Sequence, residues 1–269
     1  MNTAPLDTAA AESLLAFWRD AGVDACFEDA PVDRTHVAPP PAVKAVTKAT
    51  ASVVAMPSAT DVASDARRLA ASADTLEALG QAIASFTGCP LREMGARQAV
   101  FARGNPQAPV MIIGEGPGAQ EDERGQPFVG KAGQLLDRML AEAGLNDQAF
   151  ITNTVFWRPP GNRTPSPSEQ AACAPFLERA FFLLKPKAVL LLGAAAAKSV
   201  LATDDGIMKL RGHWKEWRLA EGNVSAPVLP TFHPAFLLRT PMAKKAAWAD
   251  MLALAARIEG ESGERTSLT

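Results

Sequence analysis

Residues 109–122, PVMIIGEGPGAQED, run from an apolar stretch through a glycine turn into acids. An apolar strand that ends in glycines and opens a helix is the usual form of a phosphate cradle. Here the turn carries Glu115, Glu121, Asp122 and Glu123, with no lysine before Lys131. Carboxylates repel phosphate, and the P-loop lysine pattern is missing. Gly114, Gly116 and Gly118 allow close backbone approach, so backbone N–H groups can face a neutral polar ligand or developing negative charge.

Three more short apolar runs follow: AFITNTVF (149–156), KAVLLLG (187–193) and APVLPTF (226–232). Helical patterns separate or follow them at 131–145, 167–185 and 194–202, and a last helix at about 241–258 closes the unit. Strands alternating with helices predict an α/β fold, a three-layer α/β/α sandwich on a parallel sheet, and near-continuous apolar strands fit burial on both faces. Ligands of such sheets sit at the carboxyl ends of the strands. That rule selects GEGPG, NTVFWRPPGN and TFHPAFLLR as one site.

Upstream, residues 1–34 read as a helical segment, 35–60 as an Ala/Pro-rich linker and 61–84 as a helix leading into a domain over 85–258, with a tail at 259–269. The helix is expected to be capped by Asp61 or Thr60. At 269 residues and 48% hydrophobic content, the chain can bury a sizeable core. No apolar run is long enough to span a membrane and no secretory signal is recognisable. Three scattered cysteines do not make a disulfide framework, so a reducing cytoplasmic setting is expected. Net charge is −2, against a generally polybasic nucleic-acid binder. Residues 1–84 hold 11 acids against 6 bases, and the remainder 18 against 21, so only the latter part is suited to local contact with a polyanion.

The residue chemistry at the three strand ends is specific. Phe128 in GQPFVG offers a face for stacking on a flat ring. Asn153 offers a donor and an acceptor, the pairing needed to read a nucleobase edge. The stiff loop RPPGNRTP presents Arg158, Asn162 and Arg163 to backbone phosphates. His233 is placed for hydrogen bonding or proton chemistry. Phe236, Leu237 and Leu238 with Arg239 have the composition of an apolar wedge beside a phosphate contact. Each residue taken singly also has a structural reading. Glu121 to Glu123 suit a helix first turn, Asn162 a turn, Phe128 the core, Asn153 a backbone contact, and FLLR a core-facing helix start. His36 and His213 read as structural or exposed.

Together, GEGPGAQEDERGQPFVGKAGQLLDRML, TNTVFWRPPGNRTPSPSE and TFHPAFLLR resemble the three signature regions of family 4 uracil-DNA glycosylases, in that family's order and spacing, over roughly 85–258. The resemblance implies the uracil-DNA glycosylase fold with a four-stranded parallel central sheet, and a monomeric enzyme that flips uracil out of DNA and leaves an abasic site. It implies a uracil pocket of Glu115, Gly116, Phe128 and Asn153, with Glu121, His233 and Asn162 as the catalytic candidates. Arg158, Arg163 and Phe236–Arg239 would contact DNA. Family members typically carry a 4Fe-4S cluster on four cysteines. Here Cys89 and Cys173 match two of those positions, while Phe86 and Trp157 stand at the other two and Cys26 lies across the linker. Because such clusters are normally held by four thiolates, the expectation is no cluster and no metal. Gly116 stands where some uracil glycosylase families place an aspartate base. Rival expectations are a glycosylase for other deaminated bases, a non-catalytic reader of uracil or damage, and a nucleotide-binding α/β protein. Covalent trapping is disfavoured because RPPGNRTP contains no histidine. The N-terminal segment is a possible docking element for a protein partner.

Overall fold

A computed structural model describes residues 59–220 and 223–266. The expected helical segment at 1–34 and nearly all of the expected linker lie outside the described residues. The elements run α1 (Ala59–Ala71), α2 (Leu76–Ser85), β1 (Ala102–Gly104), β2 (Val110–Gly114), α3 (Ala119–Arg124), α4 (Lys131–Glu142), β3 (Ala149–Asn153) and α5 (Pro167–Leu184). They continue with β4 (Ala188–Leu192), α6 (Gly193–Leu201), α7 (Ile207–Leu210), β5 (Lys215–Arg218), β6 (Ser225–Thr231), α8 (Pro234–Arg239) and α9 (Lys244–Thr266). The strands form one sheet in the order β1-β3-β2-β4-β6-β5. The inner four are parallel, as the sequence predicts, and short antiparallel strands β1 and β5 extend the sheet to six. Neither edge strand has a long apolar run. Lys215, Glu216 and Arg218 of β5 are exposed, and β1 has three residues.

Strand periodicity divides the core in two. Met111, Ile113, Phe150, Val189, Leu191 and Val228 face one layer, which includes Ala66, Leu79, Phe176 and Phe181 of α1, α2 and α5. Val110, Ile112, Ile151, Leu190, Leu192 and Leu229 face the other, with Leu136 and Leu140 of α4 and Met251, Leu254 and Ile258 of α9. Both faces are covered, so the strands read as uninterrupted apolar runs.

Several boundaries differ from expectation. The predicted helix over 61–84 is two helices. Thr75 takes extended torsions (φ −132°, ψ 160°) and its hydroxyl accepts from the Ala78 N–H at 3.1 Å, starting a second helix. Thr60 and Asp61 lie inside α1 rather than capping it. Both helices pack into the first core as part of the sheet-bearing unit. At the other end, Pro241–Ala243 is a single 3-10 turn, and α9 runs on to Thr266 through residues expected to be a tail.

One polar cluster fixes the carboxyl end of β6. Asp250 on α9, 3% exposed, accepts from the Thr231 hydroxyl at 2.6 Å and forms an ion pair with Arg211. The Arg211 guanidinium also donates to the Ala246 carbonyl at 2.9 Å and lies over the Phe232 ring. Asp250→Ala strands Arg211 and the Thr231 hydroxyl, and breaking such a buried pair costs about 3–5 kcal/mol. Urea unfolding should report a loss of that size, with the transition slope unchanged.

Candidate active site

The carboxyl ends of β2, β3 and β6 open onto a cavity of about 530 Å³. Glu115, Gly116, Glu121, Phe128, Asn153, Asn162, Arg163, His233, Phe236 and Arg239 all line it, so three motifs distant in sequence meet in one place. Parallel registry puts Gly114 beside Asn153. A Cβ on Gly114 would lie 2.5 Å from Asn153 Oδ1 and 2.5 Å from Phe128 Cζ. Only a glycine lets the amide and the ring approach this closely. At Gly116 a Cβ would meet a Val155 methyl at 2.9 Å, which leaves no room for an aspartate without rearrangement. Thr154 fixes the turn between them, donating its N–H to the Gly114 carbonyl at 2.9 Å and its hydroxyl to the Glu115 carbonyl at 2.6 Å.

Asn153 is 1% exposed, and among the described residues its Oδ1 is the buried side-chain N or O atom without a hydrogen-bond partner. An unpaired buried acceptor is costly unless a ligand supplies the donor. The Phe128 ring lies beside it and is 5.7 Å from the His233 ring. His233 is the N-cap of α8, and its Nδ1 accepts from the Ala235 N–H at 3.1 Å. That bond places the single proton of the neutral imidazole on Nε2, leaving one N–H to donate. Burial, with the Arg239 charge adding to it and the Glu121 carboxylate opposing, lowers the His233 pKa from 6.5 to about 4.

Two of the four acids of the glycine turn, Glu121 and Asp122, bind backbone. Glu121 accepts from the N–H groups of Gly118 at 3.1 Å, Val129 at 3.0 Å and Gly130 at 2.9 Å. Asp122, 2% exposed, accepts from the Arg97 N–H at 2.8 Å. Glu121 thus holds the loop that carries Phe128 while still bordering the cavity, and Asp122 ties the helix to the Arg97 backbone.

Other expected DNA contacts separate on inspection. Arg163 makes a two-pronged pair with Glu169, at 2.9 and 2.6 Å, and Glu169 is 3% exposed. This pairing, with the Ser166 N–H, holds the Glu169 carboxyl below its ordinary pKa. Arg163 is therefore a clamp at the start of α5 before it is a phosphate contact. Arg158 donates to Asn162 Oδ1 at 2.8 Å, and of the two only Asn162 lines the cavity. In the expected wedge, Leu237 is buried against Phe232 and Ala247 as a core residue, whereas Leu238 and Arg239 are exposed and Phe236 lines the cavity. Leu237 turns inward because α8 packs one face on α4, so four consecutive residues cannot all face outward. Pro159, Thr164, Pro165 and Ala132 also line the cavity and carry no sequence signal beyond their place in the loops.

Behind the site, Cys89 and Cys173 are buried with sulfurs 3.9 Å apart. Contact with Cys173 lowers the Cys89 pKa, while burial raises that of Cys173. Phe86 and Trp157 are buried beside them, with ring centroids 6.4 Å apart, and Phe86 meets Phe176 edge-on at 5.1 Å. Two thiols with two rings in the remaining positions do not fit a four-thiolate iron–sulfur cluster. Among the described residues, no group of three or more His, Cys, Asp or Glu could hold a metal ion, and no helix is long and apolar enough to cross a membrane.

Comparison with known proteins agrees with this geometry. The family profile described as the uracil DNA glycosylase superfamily matches residues 101–252. A type-4 uracil-DNA glycosylase of Thermotoga maritima is 39% identical over 171 residues, 62% of this chain and 84% of the relative. Relatives of the same name from Sulfurisphaera tokodaii and Pyrobaculum aerophilum are each 39% identical, covering 64% and 62% of this chain and 80% and 86% of their own.

The His233 geometry has a consequence in solution. Nitrogen NMR should find His233 neutral, with its proton on Nε2, well below pH 6.5 and protonating only near pH 4. The unfolded chain takes up this proton at the higher pH, so the contribution to stability is complete above 6.5 and is lost as pH falls towards 4. His233→Asn should flatten that acid-side loss in urea titrations.

Proposed function

Because this chain belongs to the uracil DNA glycosylase superfamily, we propose that it is a DNA repair enzyme that hydrolyses the N-glycosidic bond of uracil in DNA and leaves an abasic site. The observation that carries the reading to particular residues is the unpaired, buried Asn153 Oδ1 beside the Phe128 ring. A uracil drawn out of the duplex stacks on Phe128 and presents its N3–H to Oδ1 and its O4 to the Asn153 amide N–H. Cytosine presents an acceptor and a donor in the opposite places. A buried site built for one hydrogen-bonding pattern rejects the other strongly, because polar groups are left unpaired.

Bond breaking leaves an electron pair on uracil N1 that delocalises onto O2, while the sugar gains oxocarbenium character. His233, neutral with a proton on Nε2, donates a hydrogen bond to O2 and stabilises the departing anion, a contribution that grows with the charge. Water then adds to the sugar carbon, and the proton it loses balances the one taken up by the uracil anion, which leaves as neutral uracil. Asn162 is the candidate for orienting that water. Glu121 acts mainly by position: its carboxylate holds the Phe128 loop, and its negative charge at the cavity edge favours the cationic sugar. Leu238 and Arg239, exposed at the rim, are the residues for the gap in the stack and an adjacent phosphate.

We further propose that the chain carries no iron–sulfur cluster, the rings of Phe86 and Trp157 filling that volume as packing. Iron analysis and visible absorbance of protein purified without oxygen should both be at background, with uracil excision retained.

The defining test is excision from a uracil-containing duplex, read as alkali-labile cleavage. His233→Ala should lower the single-turnover rate by about 10²–10³-fold, the scale of one lost donor to a developing anion. Asn153→Ala should cost a similar factor and relax the preference for uracil over cytosine. Excision that survives both substitutions would overturn the assignment, and uracil-dependent binding without cleavage would make the protein a reader.

A further inference from the structure

Phe128 has a positive φ of 55°, a backbone conformation that side chains other than glycine, asparagine and aspartate rarely adopt. Such a residue persists only where its surroundings over-determine it. The peptide units on its two sides are held from different directions. The N–H groups of Val129 and Gly130 go to Glu121. The carbonyls go to Arg103, whose Nε donates to Pro127 O at 2.8 Å and whose Nη2 donates to Phe128 O at 3.2 Å. The same Nη2 reaches Asp137 Oδ1 of α4 at 2.6 Å. Gly133 makes room for the arrangement, since a Cβ there would lie 1.6 Å from the Phe128 carbonyl oxygen. Arg103 is itself anchored on β1, opposite Ile151 and close in β3 to Asn153. A single guanidinium thus joins the strand pair that carries the edge-reading amide to the loop that carries the stacking ring. Arg103 does not line the cavity.

We propose that Arg103 is a positioning residue that sets the Phe128 ring against Asn153, and thereby against the flipped base; this rests on the glycosylase reading. Lysine carries its three N–H donors on one nitrogen and lacks the flat Nε–Nη2 edge that reaches the two carbonyls and the carboxylate together. Arg103→Ala should lower the single-turnover excision rate about 10- to 100-fold, the scale of a misplaced reacting partner. Affinity for DNA without uracil should stay unchanged. Arg103→Lys should recover only part of the rate. Asp137→Asn, which keeps both carbonyl bonds, should stay within about twofold of wild type, as for a partly exposed pair. In a Phe128→Ala background, Arg103→Ala should cost little more, because both changes remove the same element. Deuterium exchange at Val129 and Gly130 should rise in Arg103→Ala while the strands stay protected. If the alanine variant does not fold, Arg103→Gln replaces it in every arm. Wild-type rates in Arg103→Ala, an equal loss with and without the Phe128 ring, or unchanged exchange at Val129 and Gly130 would each overturn the proposal. If wild-type protein fails to excise uracil, the glycosylase reading falls, and the exchange measurement alone still decides whether Arg103 holds the loop.

Discussion

The site depends on one missing atom. Gly114 has no Cβ, and an added one would sit 2.5 Å from both Asn153 Oδ1 and Phe128 Cζ. Parallel pairing brings Gly114 and Asn153 side by side, the absent side chain leaves room for the ring and the amide on either side of it, and the two share one wall of the cavity. Close packing makes this all-or-none, since a methyl group has nowhere to go in a wall already at contact distance. The other devices around the cavity serve that contact. Glu121 holds the loop that brings the ring, and Thr154 holds the turn that follows Gly114.

The electrostatics follow from the same crowding. A protonated histidine in the cavity would sit near Arg239, and a charged imidazole there would be poorly solvated. Donation by Ala235 to Nδ1 resolves both problems by keeping the ring neutral and assigning its proton to the face that can meet a ligand. The cavity therefore presents donors and an unpaired acceptor beside a neutral imidazole. That suits a neutral heterocycle that becomes an anion only as it leaves.

Much of this was legible in the chain. Four apolar runs gave four parallel strands because double-sided burial leaves no alternation to misread, and the strand-end rule selected loops whose Phe128, Asn153 and His233 line one cavity. What stayed hidden was partnership. Arg163 reads as a phosphate contact because nothing in RPPGNRTP announces that Glu169 will claim its guanidinium. Leu237 reads as part of a wedge because facing is decided by which side of α8 meets the core. Thr75 splits a continuous helical pattern with one hydroxyl, a local competition that apolar spacing does not register. β1 and β5 are too short and too polar for periodicity to detect; they exist because the outer parallel strands need hydrogen-bond partners.

Those two edge strands also govern how the molecule meets copies of itself. A parallel sheet of four apolar strands, left open, would offer rows of unpaired amides to any other extended chain. Here one side ends in three residues closing on Gly104, whose φ of 100° turns the backbone away from extended torsions. The other ends in Lys215, Glu216 and Arg218, exposed around a Trp217 stacked inward on Phe181 at 4.2 Å. An incoming strand would have to desolvate that charge and find no apolar row to cover. Among the described residues the sheet ends at these two strands, and both edges resist growth by addition.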